Sequence, residues 1–123
     1  MKESSEQEQL AERIELSLLY DFYGALLKEH PKKMFAENVL EDWNLSEIAE
    51  EEGISRQGVY DSIKRATRQL YRYEETLGLV ARYKKQKEQL LTLQALVKAL
   101  PLSPETEPLS SIHQILEDLL REI

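Results

Sequence analysis

A chain of 123 residues with no cysteine, four glycines, four prolines and 32% charged residues suits one all-α domain, or one with an appendage. It excludes disulfides, thiolate catalysis and thiolate zinc sites together. No apolar run approaches the roughly 20 residues of a membrane span, and the acidic start MKESSEQEQ is not that of a signal peptide, so a cytoplasmic protein without membrane insertion is expected. The net charge of −7 is uneven: five basic against fourteen acidic residues in 1–52, nine against three in 53–87, and two against six in 88–123. A basic block between acidic flanks favours a polyanion or an acidic surface as partner, with a merely solvated helix face as the plainer alternative.

Residues 1–9 are polar and expected to fray. From about Leu10 a helix should run to Lys28. Its second half carries Leu16, Leu18, Leu19, Tyr20, Phe22, Tyr23, Ala25, Leu26 and Leu27, apolar on nearly all sides, which asks for burial on two fronts. In so small a protein the second front is most simply another subunit, so a homodimer is expected. Tyr20 and Tyr23 read as core or interface before they read as a ligand cage. His30-Pro31 should break the chain, because proline disfavours the α conformation in the residue before it. A second helix over Pro31 to Trp43 then presents Met34, Phe35, Val39, Leu40 and Trp43 to the first and supports the next segment.

That segment, LSEIAEEEGISRQGVYDSIKRATRQLYR at residues 45–72, has the form of a helix-turn-helix. Ser46 is expected to cap the first helix, with Glu47 at its positive end. Ile48 and Ala49 face inward, and Ala49 is small enough for close helix crossing. Gly53 falls where the turn needs positive φ, Ile54 comes next as an apolar plug, and Ser55 caps the second helix. Val59, Ile63, Ala66 and Leu70 make one apolar stripe. The opposite face carries Arg56, Gln57, Tyr60, Asp61, Lys64, Arg65 and Arg68. The run Glu50–Glu52 reads as a solvated face.

The second helix should continue to about Leu77 and stop or bend at Gly78. Another spans Leu79 to about Leu100, where Tyr83 and the basic stretch around it either touch nucleic acid or cover an apolar face. Residues 101–108, PLSPETEP, are a linker by composition. Leu109 to Ile123 forms an amphipathic helix, with Ser111 and Gln114 at capping-box spacing. A helix this short needs a surface, on its own domain, on a twin subunit or on a partner; docking within the homodimer is preferred. The expected organisation is thus a helical domain over 1–100, a linker, and a C-terminal helix over 109–123.

SEIAEEEGISRQGVYDSIKR, together with LYDFYGALL at 19–27, resembles the YlxM family of small bacterial helix-turn-helix proteins, related in fold to the fourth region of sigma factors. The resemblance covers roughly residues 16–97. Glu52 departs from it by standing where such modules usually put an apolar residue under the turn, which leaves the packing there open. Gly58 stands where alanine is usual and should weaken the helix by about 1 kcal/mol.

Catalysis finds no support: His30 and His113 are far apart, the four glycines form no phosphate loop, and no metal or cofactor is expected. Two readings remain. In the first, the helix after Ser55 enters the major groove of duplex DNA, with Arg56, Gln57 and Tyr60 reading bases and Lys64, Arg65 and Arg68 holding phosphates. The acidic first helix opposes it, since that helix normally crosses the phosphate backbone. The second reading is an accessory role in signal-recognition-particle targeting through protein, including the particle's GTPase, or through RNA. The family resemblance implies this role through the association of its genes with those of the GTPase.

Overall fold

The breakers and apolar stripes of the sequence resolve into six α-helices in the computed structural model, which describes residues 2–103 and 105–123. They are α1 (Lys2–Tyr23), α2 (Glu29–Phe35), α3 (Leu45–Glu52), α4 (Arg56–Leu77), α5 (Leu79–Lys98) and α6 (Leu109–Glu122). Among the described residues there is no strand, and no helix is long and apolar enough to cross a membrane. The chain divides into two compact units, the first ending at Val80 and the second running from Ala81 to Ile123.

In the first unit, α1 starts earlier and ends earlier than its composition suggests. Residues 2–9, expected to fray, are helical, and Met1 lies outside the described residues. After Tyr23 the chain tightens into a 3-10 turn, Gly24–Leu26, and becomes extended at Leu27. Gly24 fits there for a packing reason: a Cβ on it would stand 3.0 Å from the Tyr20 ring, which stacks on Phe35 at 5.6 Å between centroids. The break therefore falls at Leu27 and Lys28, not at His30-Pro31. Pro31 is the third residue of α2, where helical N–H groups have no partner within the helix and a residue without one costs little.

The helix expected over Pro31 to Trp43 is interrupted. At Ala36 the α geometry widens into a π turn, Ala36–Leu40, in which the Glu41 N–H donates to the Ala36 carbonyl at 3.1 Å and the Trp43 N–H to that of Glu37 at 2.9 Å. Asp42 closes it in the left-handed region with φ 63, which aspartate tolerates better than most residues. Arg13 of α1 holds this corner, donating to the Val39 carbonyl at 2.9 Å and pairing with the Asp42 carboxylate.

Two apolar clusters fill the unit. Leu16, Leu19, Tyr23, Phe35, Val39, Ala66, Leu70 and Val80 form one. Met34, Ile48 and Val59 form the other, with Trp43, Leu45 and Ala49 packed against it. Ile63 touches both clusters and joins the motif to its support. Tyr23 adds a polar function to its burial. Its hydroxyl donates to Glu74 at 2.6 Å and accepts from the Leu79 N–H at 3.1 Å, while Glu74 accepts from the Val80 N–H at 2.9 Å. The pair thereby satisfies the first amides of α5. Burial, and then the neighbouring Glu74 carboxylate, push the Tyr23 phenol above its ordinary pKa. Gly78 stops α4 at φ 63, its N–H on the Glu74 carbonyl, as expected. The outer side of α1 stays open at Leu10, Ile14 and Phe22, and Leu26 in the turn after it is exposed as well.

In the second unit, Val97, Leu109 and Leu116 are buried with Leu90 packed beside them. The Tyr83 hydroxyl donates to the Ile123 carbonyl at 2.7 Å. The C-terminal helix thus docks on α5 of its own chain. The capping box expected at its start does not form. Pro108 is the N-cap, the Ser111 hydroxyl donates to Glu107 at 2.6 Å, and Gln114 donates to Asp118 at 3.0 Å. Within the expected linker, Pro104 lies outside the described residues.

Candidate nucleic-acid interface

The motif is built from its caps inward. Asn44, not Ser46, caps α3: its backbone is extended (φ −81, ψ 165) and its side-chain oxygen accepts from the Glu47 N–H at 2.8 Å. Its amide nitrogen donates back to the Glu47 carboxylate at 2.6 Å, a reciprocal arrangement akin to a capping box. Gly53 ends α3 at φ 69, ψ 30, and the N–H groups of Gly53 and Ile54 both reach the Ala49 carbonyl, at 2.9 and 3.2 Å. Ser55 caps α4 as its position suggests, accepting from the Gly58 N–H at 2.9 Å. Ile54 does not plug the turn; it is among the exposed apolar side chains. The weight of packing falls instead on Ile48 and Val59, both sealed from solvent.

Burial of Val59, Ala66 and Leu70 fixes the rotation of α4. Arg56, Gln57, Tyr60, Lys64, Arg65 and Arg68 lie outside that stripe, and Tyr60 is exposed. At 100° per residue, Gln57, Lys64 and Arg68 lie opposite the buried stripe, Arg56 and Tyr60 lean to one flank, and Arg65 leans to the other. Lys64 sits over the Tyr60 ring at 5.6 Å. Gln57 donates to Asp61 at 3.0 Å, so this amide must leave an intrahelical partner to read anything else. Arg65 also borders a groove of about 360 Å³ lined by Leu26, Leu27, Pro31, Ala66 and Tyr73, with Lys28 beside it.

The acidic helix is less repulsive than its sequence suggests. Glu52, whose side chain is only 11% exposed, meets His30 at 2.6 Å and Lys33 at 3.0 Å; Lys33 also lies 3.7 Å from Glu51. The His30 nitrogen facing Glu52 carries the proton, since a carboxylate only accepts. These hydrogen bonds, His30 first and then Lys33, hold the Glu52 carboxyl below the usual carboxylate range, and the contacts of Lys33 with Glu52 and Glu51 raise Lys33. The Glu50–Glu52 run is therefore not a uniform solvated face. Under the turn, where the sequence leaves the packing open, an ion-pair cluster stands, assembled from two helices. Neither His30 nor Lys33 signals this in sequence, because the pairing crosses 19 to 22 residues.

A short capped helix, a left-handed glycine turn and a long second helix with an open basic face define a helix-turn-helix protein. Residues 10–103 match the family described as "Putative helix-turn-helix protein, YlxM / p13 like" (UPF0122), and the chain belongs to that family. It is 44% identical over 108 residues to a UPF0122 protein of Thermoanaerobacter sp. (strain X514), covering 88% of this chain and 90% of the relative. It is 39% identical over 110 residues to one of Halalkalibacterium halodurans, covering 89% and 98%. With the UPF0122 protein YlxM of Bacillus subtilis (strain 168) it shares 38% identity over 104 residues, covering 85% and 92%.

Proposed function

We propose that the protein is a cytoplasmic, non-enzymatic regulator that binds duplex DNA with α4 in the major groove, in the manner of a sigma factor's fourth region. The observation that carries this reading is the unobstructed cationic face of α4 behind a complete helix-turn-helix turn. Arg56, Arg65 and Arg68 make no ion pair among the described residues. Arg56, Gln57 and Tyr60, nearest the start of α4, read bases; Lys64, Arg65 and Arg68 hold phosphates. The compensation of Glu52 by His30 and Lys33 supports the same reading, because it removes part of the repulsion between α3 and the phosphate backbone.

A homodimer completes it, with the exposed Ile14 and Phe22 of α1 and Leu26 of the turn after it as the self-contact. Salt-dependent titration against duplex DNA tests the division of roles. Replacing Lys64 or Arg68 by alanine should weaken specific and random DNA alike and reduce the magnitude of the log–log salt slope by about 0.9 for each phosphate no longer neutralised. Replacing Arg56 should cost about 1 to 3 kcal/mol on the preferred site and little on random DNA. No affinity for any duplex at about 50 mM salt, where phosphate binding is strong, would sink the DNA reading.

The groove beside Arg65 favours a second reading, in which the protein is an accessory factor contacting signal-recognition-particle protein or RNA. Its apolar lining and two flanking cations suit a protein surface better than a phosphate track. Binding to those components that survives Lys64→Ala and Arg68→Ala but not Leu27→Glu would favour it.

A further inference from the structure

Beneath the turn lies a group that neither reading uses. Glu37, in the π turn, is 5% exposed and is the one buried charged side chain among the described residues. Its Oε1 atom has no hydrogen-bond partner. Carboxylate oxygens of Glu37, Glu51 and Glu52 lie within 4.8 Å of one another. An ionised carboxylate left buried without a partner is costly, and two more beside it make it costlier. The neighbouring cations do not remove that cost. Lys33 and His30 of α2 are both engaged by Glu52, and Arg13 of α1 is engaged by Val39 and Asp42. From α3 the groups facing Glu37 are Glu51 and Glu52 themselves.

We propose that Glu37 and Glu51 share one proton across the joint between the π turn and α3, a lock that holds the first motif helix on its support and opens when the proton is lost. Burial first, and then the Glu51 carboxyl, push Glu37 up to about 7, into the range where a modest change of pH empties the site. A proton fits better than a metal ion because Lys33 already places an ammonium at 3.0 Å from Glu52 and 3.7 Å from Glu51. The location gives the device its reach: Glu51 and Glu52 are the last residues of α3, one step before the glycine that sets the angle to α4. Loss of the proton leaves like charges facing each other there, and the turn loosens. The lock does not depend on nucleic-acid binding, and its test contains no nucleic acid.

Linkage sets the sign of the pH dependence. A carboxyl whose folded pKa lies above its unfolded value contributes stability that is complete below the unfolded value, near 4.5, and is lost as pH rises through about 7. Carbon-13 NMR of the Glu37 side-chain carboxyl in the intact chain should therefore show a midpoint near 7. The Tm should fall between pH 5 and pH 8.5 in wild type. Glu37→Gln, which keeps a donor for Glu51, should flatten that fall and melt about 5 °C above wild type at pH 8.5. Histidines titrate in the same window, so the comparison is repeated in His30→Gln, where the Glu37-dependent fall should persist. Amide protection at Gly53 and Ile54 should drop above pH 7.5 in wild type and not in Glu37→Gln.

A Glu37 midpoint below about 5.5, or a pH dependence unchanged by Glu37→Gln, overturns the proposal. So does a rise in wild-type Tm on adding millimolar calcium or manganese at constant pH that Glu37→Gln abolishes, since the cluster would then be a cation site.

Discussion

The two units of the molecule use the same material differently. In the first, helices short and long converge on two apolar clusters joined by Ile63, and seven side chains, from Leu19 to Leu70, are sealed almost completely. In the second, two helices share a core of Val97, Leu109 and Leu116 with Leu90 beside it, while Leu91, Leu93, Leu96, Ile112, Ile115 and Leu119 stay exposed. The helix α6 has the cleaner apolar periodicity in sequence, yet it buries less than α4. Periodicity states which side of a helix is apolar, and burial depends on how many neighbours arrive to cover that side. A pair of helices can shelter only the seam between them.

The largest effect that would expose this difference is in the first unit. Phe35→Ala removes a side chain with no solvent exposure that stacks on Tyr20 and should cost about 3 to 5 kcal/mol. Chemical denaturation should show the motif unfolding with it. The smaller cut is Leu116→Ala in α6, worth about 2 to 4 kcal/mol if its site relaxes little. Its consequence should be local. Hydrogen exchange should show α6 losing protection while the amides of α3 and α4 keep theirs. If Leu116→Ala instead unfolds the motif, the two units are one cooperative structure and the contrast between them fails.

Those helices were legible in sequence to different depths, for physical reasons. The stripe Val59, Ile63, Ala66 and Leu70, the cap at Ser55 and the left-handed glycines at 53 and 78 are local facts, fixed by spacing and by what a backbone allows. The cap of α3 was also local but ambiguous, because Asn44 and Ser46 are both competent and stand two residues apart. Asn44 prevails because Leu45, between them, is partly buried against the Met34 cluster as a helical residue. Asn44→Ala should cost about 1 kcal/mol and Ser46→Ala much less, measurable as a difference in denaturation midpoint.

Other features were not local at all. Nothing in AENVL marks a π turn, and the meeting of Glu37 with Glu51 and of Glu52 with His30 depends on how α2 and α3 cross. The exposed basic face of α4 was readable from charge and period. The engagement of Gln57 by Asp61 was not anticipated, although its four-residue spacing is one that brings helical side chains together.

The finest test lies inside α4, at Gly58. Two effects oppose each other in Gly58→Ala. Alanine loses less backbone entropy on entering a helix, worth up to about 1 kcal/mol and less near an end. Against that, the new Cβ would stand 3.1 Å from the Ser55 hydroxyl oxygen and 3.7 Å from Ile54 Cδ1. That hydroxyl is the atom that caps the helix by accepting the Gly58 N–H, so it cannot move far without weakening the cap. It can shift by a few tenths of an ångström, because Ser55 is exposed and its side chain has room to turn. Propensity should therefore win narrowly, with a gain of about 0.3 to 0.8 kcal/mol in denaturation. The double variant Gly58→Ala, Ser55→Ala separates the two contributions: with the hydroxyl gone, the full propensity gain should appear relative to Ser55→Ala alone. A loss in the single variant together with a gain in the double would mean that the cap, and not the helix interior, sets the stability of the start of α4.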